Sequence, residues 1–496
     1  MGQPLPQHFD GPLDRPGERP ESSSPQVVSE RVLVIDLEGA LLRSDLWLEA
    51  LFSDPAKALG CVRAAGSWRI SWHIGALRQA VGQVIGQVVG KVAANAELDY
   101  ASLPYEQDVL NLALAARAQG RKVYIAASRL RDHAAGIAAH LGLDGVITTA
   151  DLGSDGITSF DYVGNGRAPD AVWRMASSAR VVGGSQDLAS RLAHLNPSTQ
   201  RISGRNVSLK TWVKALRVYQ YAKNSLIFVP AVTAHQINVQ TLGHAPLAFL
   251  AFSACASGAY LMNDLLDLAA DRQHPTKRNR ALAAGDLPIA SALIAIPALW
   301  LFALAASLCI SSTFVAVLGA YLTTTIAYSL YLKSKMLLDV VTLAGLYTLR
   351  IIAGAVAAGV VLSEWLLMFS LFVFTSLALI KRFSELSMRQ GAGLSDPPNR
   401  DYRISDLNVI AAMAAASGMN AVIVFSLYVS SSAVVSLYSR PWMLWLLNPL
   451  LLYWLGRALM MAYRREMPDD PILYSFRDSA SRITVAAMIC IMLAAI

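Results

Sequence analysis

The chain has 496 residues, of which 54% are hydrophobic and only 16% charged, with a formal net charge of +7. That length exceeds one ordinary domain, and so low a charge content is poor for a chain soluble throughout. The apolar excess falls almost wholly after residue 220; the positive balance therefore does not point to nucleic acid and fits cytoplasmic loops that face anionic lipid and phosphate.

Residues 1–29 are rich in Pro, Ser, Gly and charge and are expected to be a disordered tail rather than a signal peptide. Cys61, Cys255, Cys309 and Cys490 show no pairing or metal spacing and read as buried small hydrophobes in a reducing or lipid setting. From Arg31 to Asp36 the chain reads as a buried strand ending on an acid. Further apolar runs follow at Lys122–Ala127, Gly145–Thr149, Phe160–Val163 and Arg180–Val182, with helical patterns at Tyr105–Gln119 and Asp132–Leu143. Such alternation predicts a parallel α/β sheet over residues 30–205. Its ligands are expected at the carboxyl ends of the strands, where Asp36 and Ser128 fall.

Val34-Ile35-Asp36-Leu37-Glu38-Gly39-Ala40 resembles the first motif of the haloacid-dehalogenase (HAD) phosphatase superfamily, and Ala126-Ala127-Ser128 its second. The resemblance implies an α/β, Rossmann-like domain with a helical cap, placed at about 45–102. It also implies a site of Asp36 as nucleophile, Glu38 as general acid, Ser128 and Asp187. Glu38 stands where the family has a shorter Asp. No lysine lies between Leu141 and Arg180, with Arg167 the nearest substitute. In Val181–Leu188, which resembles the fourth motif, Gly184 replaces an Asp and Asp187 alone remains. These departures imply a degenerate domain, a scaffold or regulator, with phosphatase action on the product as the alternative. Within the cap, Gly82, Gly86 and Gly90 form a small-residue face suited to helix packing.

Residues 206–223 carry Trp212, Leu216, Tyr219 and Tyr221 among Lys214, Arg217 and Lys223, and read as an interfacial amphipathic helix. Nine apolar spans are expected after it, at 224–240, 245–266, 288–310, 313–331, 338–361, 364–381, 406–432, 441–462 and 480–496. Each approaches the ~20 residues that cross hydrocarbon. Alternate loops hold nearly all the Lys and Arg, which places those loops and the α/β domain in the cytoplasm; an odd span count then puts the carboxyl terminus outside.

The most informative stretch ends the second span: Asn263-Asp264-Leu265-Leu266-Asp267-Leu268-Ala269-Ala270-Asp271, followed by Arg272, Lys277, Arg278 and Arg280. At about 100° per residue, Asp264, Asp267 and Asp271 share one helical face. Clustered carboxylates at a membrane boundary resist burial unless compensated, and Mg²⁺ bridging them to substrate phosphates accounts for them. The basic run suits the phosphate itself. Tyr328 and Lys333 close the fourth span, and Arg350, expected within the membrane, follows Asp339 by about three turns on the same face. An Arg at that depth needs a cavity and an anionic partner. Lys381 and Arg382 follow the sixth span, with Glu385 beside them, and Asp469 and Asp470 lie in the last cytoplasmic loop.

This NDxxDxxxD pattern, its basic loop and Tyr328-x-x-x-Leu332-Lys333 resemble the UbiA superfamily of intramembrane prenyltransferases over residues 210–496. The resemblance implies an all-helical bundle of nine spans around a cavity open to lipid. Most members carry a second aspartate-rich motif and transfer a prenyl group to an aromatic acceptor. Here Lys381–Tyr402 offers only Glu385, Asp396 and Asp401. The run around Arg350 and the Lys-Arg-x-x-Glu loop are similar to the decaprenyl-phosphate phosphoribosyltransferase branch. That branch joins a polyprenyl phosphate to phosphoribosyl pyrophosphate (PRPP). The implied site has Asp264, Asp267, Asp271 and Lys333 as catalytic groups, the three acids holding Mg²⁺. Substrate phosphates would meet Lys223, Asn263, Arg272, Lys277, Arg278, Arg280, Tyr328, Asp339, Arg350, Lys381 and Arg382. Prenyl transfer to an aromatic acceptor is the alternative; a transporter would need paired discontinuous helices, which the pattern lacks.

Overall fold

The computed structural model describes residues 31–53, 93–153, 157–204, 207–235, 238–397, 400–467 and 471–496. The expected tail, most of the expected cap with Cys61 and its glycine face, and Asp469 and Asp470 lie outside the described residues.

The first part is a parallel sheet. Strands β1 (Val32–Asp36), β2 (Val123–Ala126), β3 (Gly145–Ile147), β4 (Phe160–Gly164), β5 (Ser178–Val182) and β6 (Gln200–Ile202) stand in the order β3-β2-β1-β4-β5-β6. β1 shows why the sheet is buried on both faces. Leu33 and Ile35 pack with Val109, Ile125 and Ile137 on one side, while Val34 packs with Phe160, Trp173 and Leu192 on the other. Near-continuous apolar strands are what a helix-covered parallel sheet requires. β6 carries no apolar run, since Gln200 and Arg201 are exposed, and its sequence offered no strand signal. The growth of the sheet reverses between β1 and β4, which opens a crevice at their carboxyl ends.

The second part is helical. Among the described residues, seven helices are long and apolar enough to cross a membrane: Thr241–Leu266, Ile289–Leu308, Ser312–Leu330, Leu338–Ala358, Glu364–Gly391, Ile404–Val429 and Pro441–Tyr463. The first, fourth and fifth form the inner part of the bundle, with 67%, 50% and 61% of their apolar windows buried, against 17–33% for the others.

One expected span is corrected. The described residues of 224–240 do not form one continuous apolar α-helix. Helix Leu209–Ala215 stops where Arg217 adopts φ +52°, and a 3-10 run, Val218–Phe228, leads into the short helix Val229–Thr233. This segment runs beside Thr241–Leu266: Arg217 meets Asp264 near one end, and Asn224 Nδ2 donates to Ser253 Oγ further along. Its polar side chains are held laterally, and the backbone approaches closely enough that a Cβ on Gly354 would lie 2.1 Å from the Ile227 oxygen. At the other end, Ser479–Ala495 is an apolar helix of 17 residues, the length expected for the last span but shorter than the seven helices above. The expected amphipathic helix over 206–223 is likewise shorter than its pattern suggested.

The two parts are joined by α1 (Leu46–Phe52). Leu46 belongs to the core of the sheet domain, while Trp47, Leu48 and Phe52 pack with Leu265, Leu268, Leu282 and Leu287 at the end of the helical bundle.

Candidate active site

The larger cavity, about 460 Å³, opens where the expected acids meet the bundle. Asn263, Asp267 and Asp271 line one wall, and Lys277, Arg280, Tyr328, Lys333 and Lys381 surround them; Lys223 and Arg350 lie at its inner end. The end of helix Val239–Leu266 and the short helix Leu268–Gln273 present the acids, with Asp267 at the break between them. That break turns the expected single helical face into two. Asp267 and Asp271 face the cavity, whereas Asp264 does not line it.

Every one of these acids has a basic partner. Arg217 bonds Asp264 and lies 4.9 Å from the Tyr260 ring centre. Arg280 Nη1 sits 2.6 Å from Asp271 Oδ2 and 3.1 Å from Asp264 Oδ1. Lys333 Nζ donates to both Asp267 oxygens at 3.1 and 3.3 Å, and Asn263 Nδ2 donates to Asp267 Oδ2 at 3.0 Å. Burial holds the Asp271 carboxyl above the usual carboxylate range, against the pull of Arg280.

Five of the expected residues take other places in the structure. Asp264, expected as a metal ligand, is engaged by Arg217 and Arg280. Asp339 is fully buried beside Arg382 (2.8 Å), Arg400 (3.4 Å) and the Tyr402 hydroxyl, so it and Arg382 brace the bundle rather than line the cavity. Arg272 turns to Glu49 of the sheet domain, and Arg278 is exposed outside the cavity lining. Arg350 stays in the site: Nε donates to Asn224 Oδ1 (2.8 Å), Nη1 to the Leu346 carbonyl (2.6 Å) and Nη2 to the Tyr321 hydroxyl (2.9 Å).

Among the described residues, no three His, Cys, Asp or Glu side chains converge as a metal-binding group. The donor chemistry nevertheless fits a hard cation: Asp267, Asp271 and Asn263 present oxygens on one cavity wall.

A second cleft, about 230 Å³, lies at the switch point of the sheet. Asp36, Glu38, Ser128, Arg129, Thr149, Asn165 and Arg167 line it. Burial, with Glu38 nearby, pushes the Asp36 carboxyl up to about 6, although the Tyr162 hydroxyl opposes this. Asp187 is exposed in helix Gln186–Leu195, outside the cleft lining. The stretch Val181–Leu188, expected to supply acids to this cleft, contributes no residue to its lining. β4, not β5, lies beside β1, so the opposing wall is Asn165–Pro169.

The model of the UbiA prenyltransferase family matches residues 226–480, about half the chain, across the helical bundle and the cavity. The chain belongs to the UbiA prenyltransferase family. It is an integral membrane protein, and the matched residues supply most of the larger cavity's lining, with Arg217, Gln220 and Lys223 just before them. An uncharacterized protein of Sinorhizobium fredii, y4nM, is 32% identical over 479 residues, covering 90% of this chain and 88% of that one; the likeness therefore extends into the sheet domain. Decaprenyl-phosphate phosphoribosyltransferase of Mycobacterium tuberculosis is 34% identical over 186 residues, which cover 36% of this chain and 62% of the relative. A UbiA homolog from Archaeoglobus fulgidus, solved bound to GPP and Mg²⁺, aligns with a TM-score of 0.44 at 17% identity, covering 57% of this chain and 99% of that one.

Sequence reasoning missed several residues of the UbiA cavity. Arg217, Tyr260, Tyr321, Tyr347 and Arg400 line it without belonging to the aspartate pattern. The sequence pattern places Arg217 on an interfacial helix, and its left-handed turn carries it onto Asp264. The aromatic residues recur inside apolar runs, where their pattern is that of any buried helix.

Proposed function

We propose that this UbiA-family protein transfers the 5-phosphoribosyl group of PRPP to a polyprenyl phosphate and releases pyrophosphate. One observation carries the reading: three carboxylates (Asp267, Asp271, Glu385) face nine Lys and Arg side chains in the cavity lining. Such a surplus of positive charge suits two phosphorylated substrates. The partial likeness to decaprenyl-phosphate phosphoribosyltransferases supports it.

Asp267, Asp271 and Asn263 would hold Mg²⁺ on the donor's diphosphate, where the cation would offset charge on the leaving group. Lys333 and Arg280 would exchange their carboxylate partners for donor phosphates. The C1–oxygen bond breaks with its electron pair on pyrophosphate, and a lipid phosphate oxygen forms the new bond to C1. That oxygen is already anionic, so no strong base is required. Arg350 and Lys223 sit deeper, ready to receive the lipid phosphate or the ribose 5-phosphate, while the apolar helices accommodate the prenyl chain. The Lys- and Arg-rich loops support a cytoplasmic opening for this site.

Purified protein in detergent, with Mg²⁺, labelled PRPP and polyprenyl phosphate, tests the reading. Label should pass into the organic phase, and Asp267→Asn should stop it. Prenylation of an aromatic acid from a prenyl diphosphate, with no transfer from PRPP, would restore the ordinary prenyltransferase reading.

We read the sheet domain as a degenerate HAD-like domain. Asp36 and Glu38 are in the cleft, but Asn165 stands on the opposing wall and Asp187 lies outside. Phosphate release from the lipid-linked product that disappears with Asp36→Asn would instead make it a working phosphatase.

A further inference from the structure

Arg272 follows Asp271 directly, yet it serves a different contact. Its Nε donates to the Ala283 carbonyl at 3.1 Å, and its terminal nitrogens reach both oxygens of Glu49, Nη2 at 2.7 Å. Glu49 lies on α1 of the sheet domain and is 2% exposed. One guanidinium thus ties together the start of the loop after the aspartate motif, the loop's far side and the sheet domain. Trp47, Leu48 and Phe52 pack with Leu265, Leu268 and Leu287 around it. In such an apolar setting a bidentate carboxylate–guanidinium pair is strongly directional. Its gain in stability over an apolar contact is small, because both ions are desolvated. Geometric specificity is the better account of its placement.

What it would specify lies one peptide away. Asp271 faces the cavity, bonded to Arg280, which also reaches Asp264. The same loop is seated a second time at Gly285, with φ +70° and so little room that a Cβ would lie 2.9 Å from side-chain atoms of Arg43 and Pro104.

We infer that Glu49 is a positioning residue for the membrane site: by holding Arg272 it fixes Asp271 and Arg280 where the donor's diphosphate binds. The sheet domain is then a working part of the transferase. The inference rests on the phosphoribosyl-transfer reading for its catalytic arm, but its binding arm does not.

The test uses the full chain in detergent as wild type, Glu49→Gln, Glu49→Asp and, as a control, Arg121→Ala. The control breaks the 2.6 Å pair with Asp161 inside the sheet domain, away from α1. Inorganic pyrophosphate binding in the presence of Mg²⁺ is measured by calorimetry. Glu49→Gln should weaken it about tenfold, Glu49→Asp should recover part of the loss, and Arg121→Ala should bind as wild type. In turnover, Glu49→Gln should raise KM for PRPP about tenfold, with kcat and the lipid KM nearly unchanged. Hydrogen exchange should quicken over 268–287 but not in β1 or β2. Unaltered pyrophosphate affinity in Glu49→Gln overturns the inference. So does a uniform loss of kcat and both KM values that Arg121→Ala shares. If wild type transfers no phosphoribosyl group yet its pyrophosphate affinity depends on Glu49, the transfer reading fails and the positioning role stands.

Discussion

Arg350 and Asn224 are 126 positions apart, and the Arg350 Nε–Asn224 Oδ1 bond of 2.8 Å joins an irregular segment to an inner helix of the bundle. The other two bonds of this guanidinium go to a carbonyl and a tyrosine, and it stacks 4.9 and 5.4 Å from the Tyr321 and Tyr347 ring centres. Among the described residues no carboxylate pairs with it, although the spacing from Asp339 had suggested one. Under the proposed function, an anionic substrate group would meet this buried cation in the cavity.

Arg350→Gln should therefore raise KM for one of the two phosphorylated substrates by at least about tenfold. Arg350→Lys should rescue little, since one ammonium cannot reproduce three bonds fixed by a planar fork. Steady-state kinetics with each substrate varied in turn identifies the affected one; unchanged constants for both would remove Arg350 from the site.

Asp267 is the most open of the three motif aspartates, with a side chain 32% exposed against 3% for Asp271 and 6% for Asp264. Asp267→Asn preserves shape and removes the charge, so kcat should fall roughly a hundredfold or more, as when an electrostatic contact to the transition state is lost. Thermal stability should barely change, because its pair with a part-exposed Lys333 is worth little in the resting protein. Melting curves beside the transfer assay separate the two effects.

Gly354 is where a side chain has no room. Gly354→Ala would force the segment around Ile227 away from its helix, at a cost of about 1–3 kcal/mol. The melting temperature in detergent should drop, and Gly354→Leu should drop it further. A neutral Gly354→Ala would mean that the segment moves freely.

Asp36 gives the sheet domain a pH dependence of definite sign. Its carboxyl stands at about 6 in the folded protein against 3.8 unperturbed, chiefly through burial. The folded state therefore prefers the protonated form, and stability falls as pH rises from about 4 through 6, then levels. The shift corresponds to roughly 3 kcal/mol lost above pH 7. Asp36→Asn should stabilise the protein by about that amount at pH 8 and by almost nothing at pH 4. Melting curves at both values check this; equal shifts at the two would contradict it.

Local pattern alone reveals several of these features. Val32–Asp36 is an apolar run ending on an acid, and it forms the strand that delivers Asp36 to a cleft. Asn263, Asp267 and Asp271 interrupt an apolar stretch, and they line the larger cavity. In both cases the cost of placing polar groups in apolar surroundings makes the pattern informative. The break at Asp267 was not legible, because helix periodicity assumes that the helix continues. The crossing near Asn224 was not legible either, because its backbone is shaped by lateral bonds to Ser253 and Arg350.

The family, the division into a sheet domain and a membrane bundle, and the charged residues at the boundary are all legible in the chain. Residue type and local spacing suffice for that, since burial of apolar surface is read from the chain directly. The partners are set by packing: Asp264 with Arg217, Asp339 with Arg382, Arg272 with Glu49, and Asn165 rather than Asp187 in the cleft. A charge is satisfied by whichever opposite group the packed chain brings within reach. In the Glu49–Arg272 pair that group lies 223 positions away, beyond anything periodicity encodes.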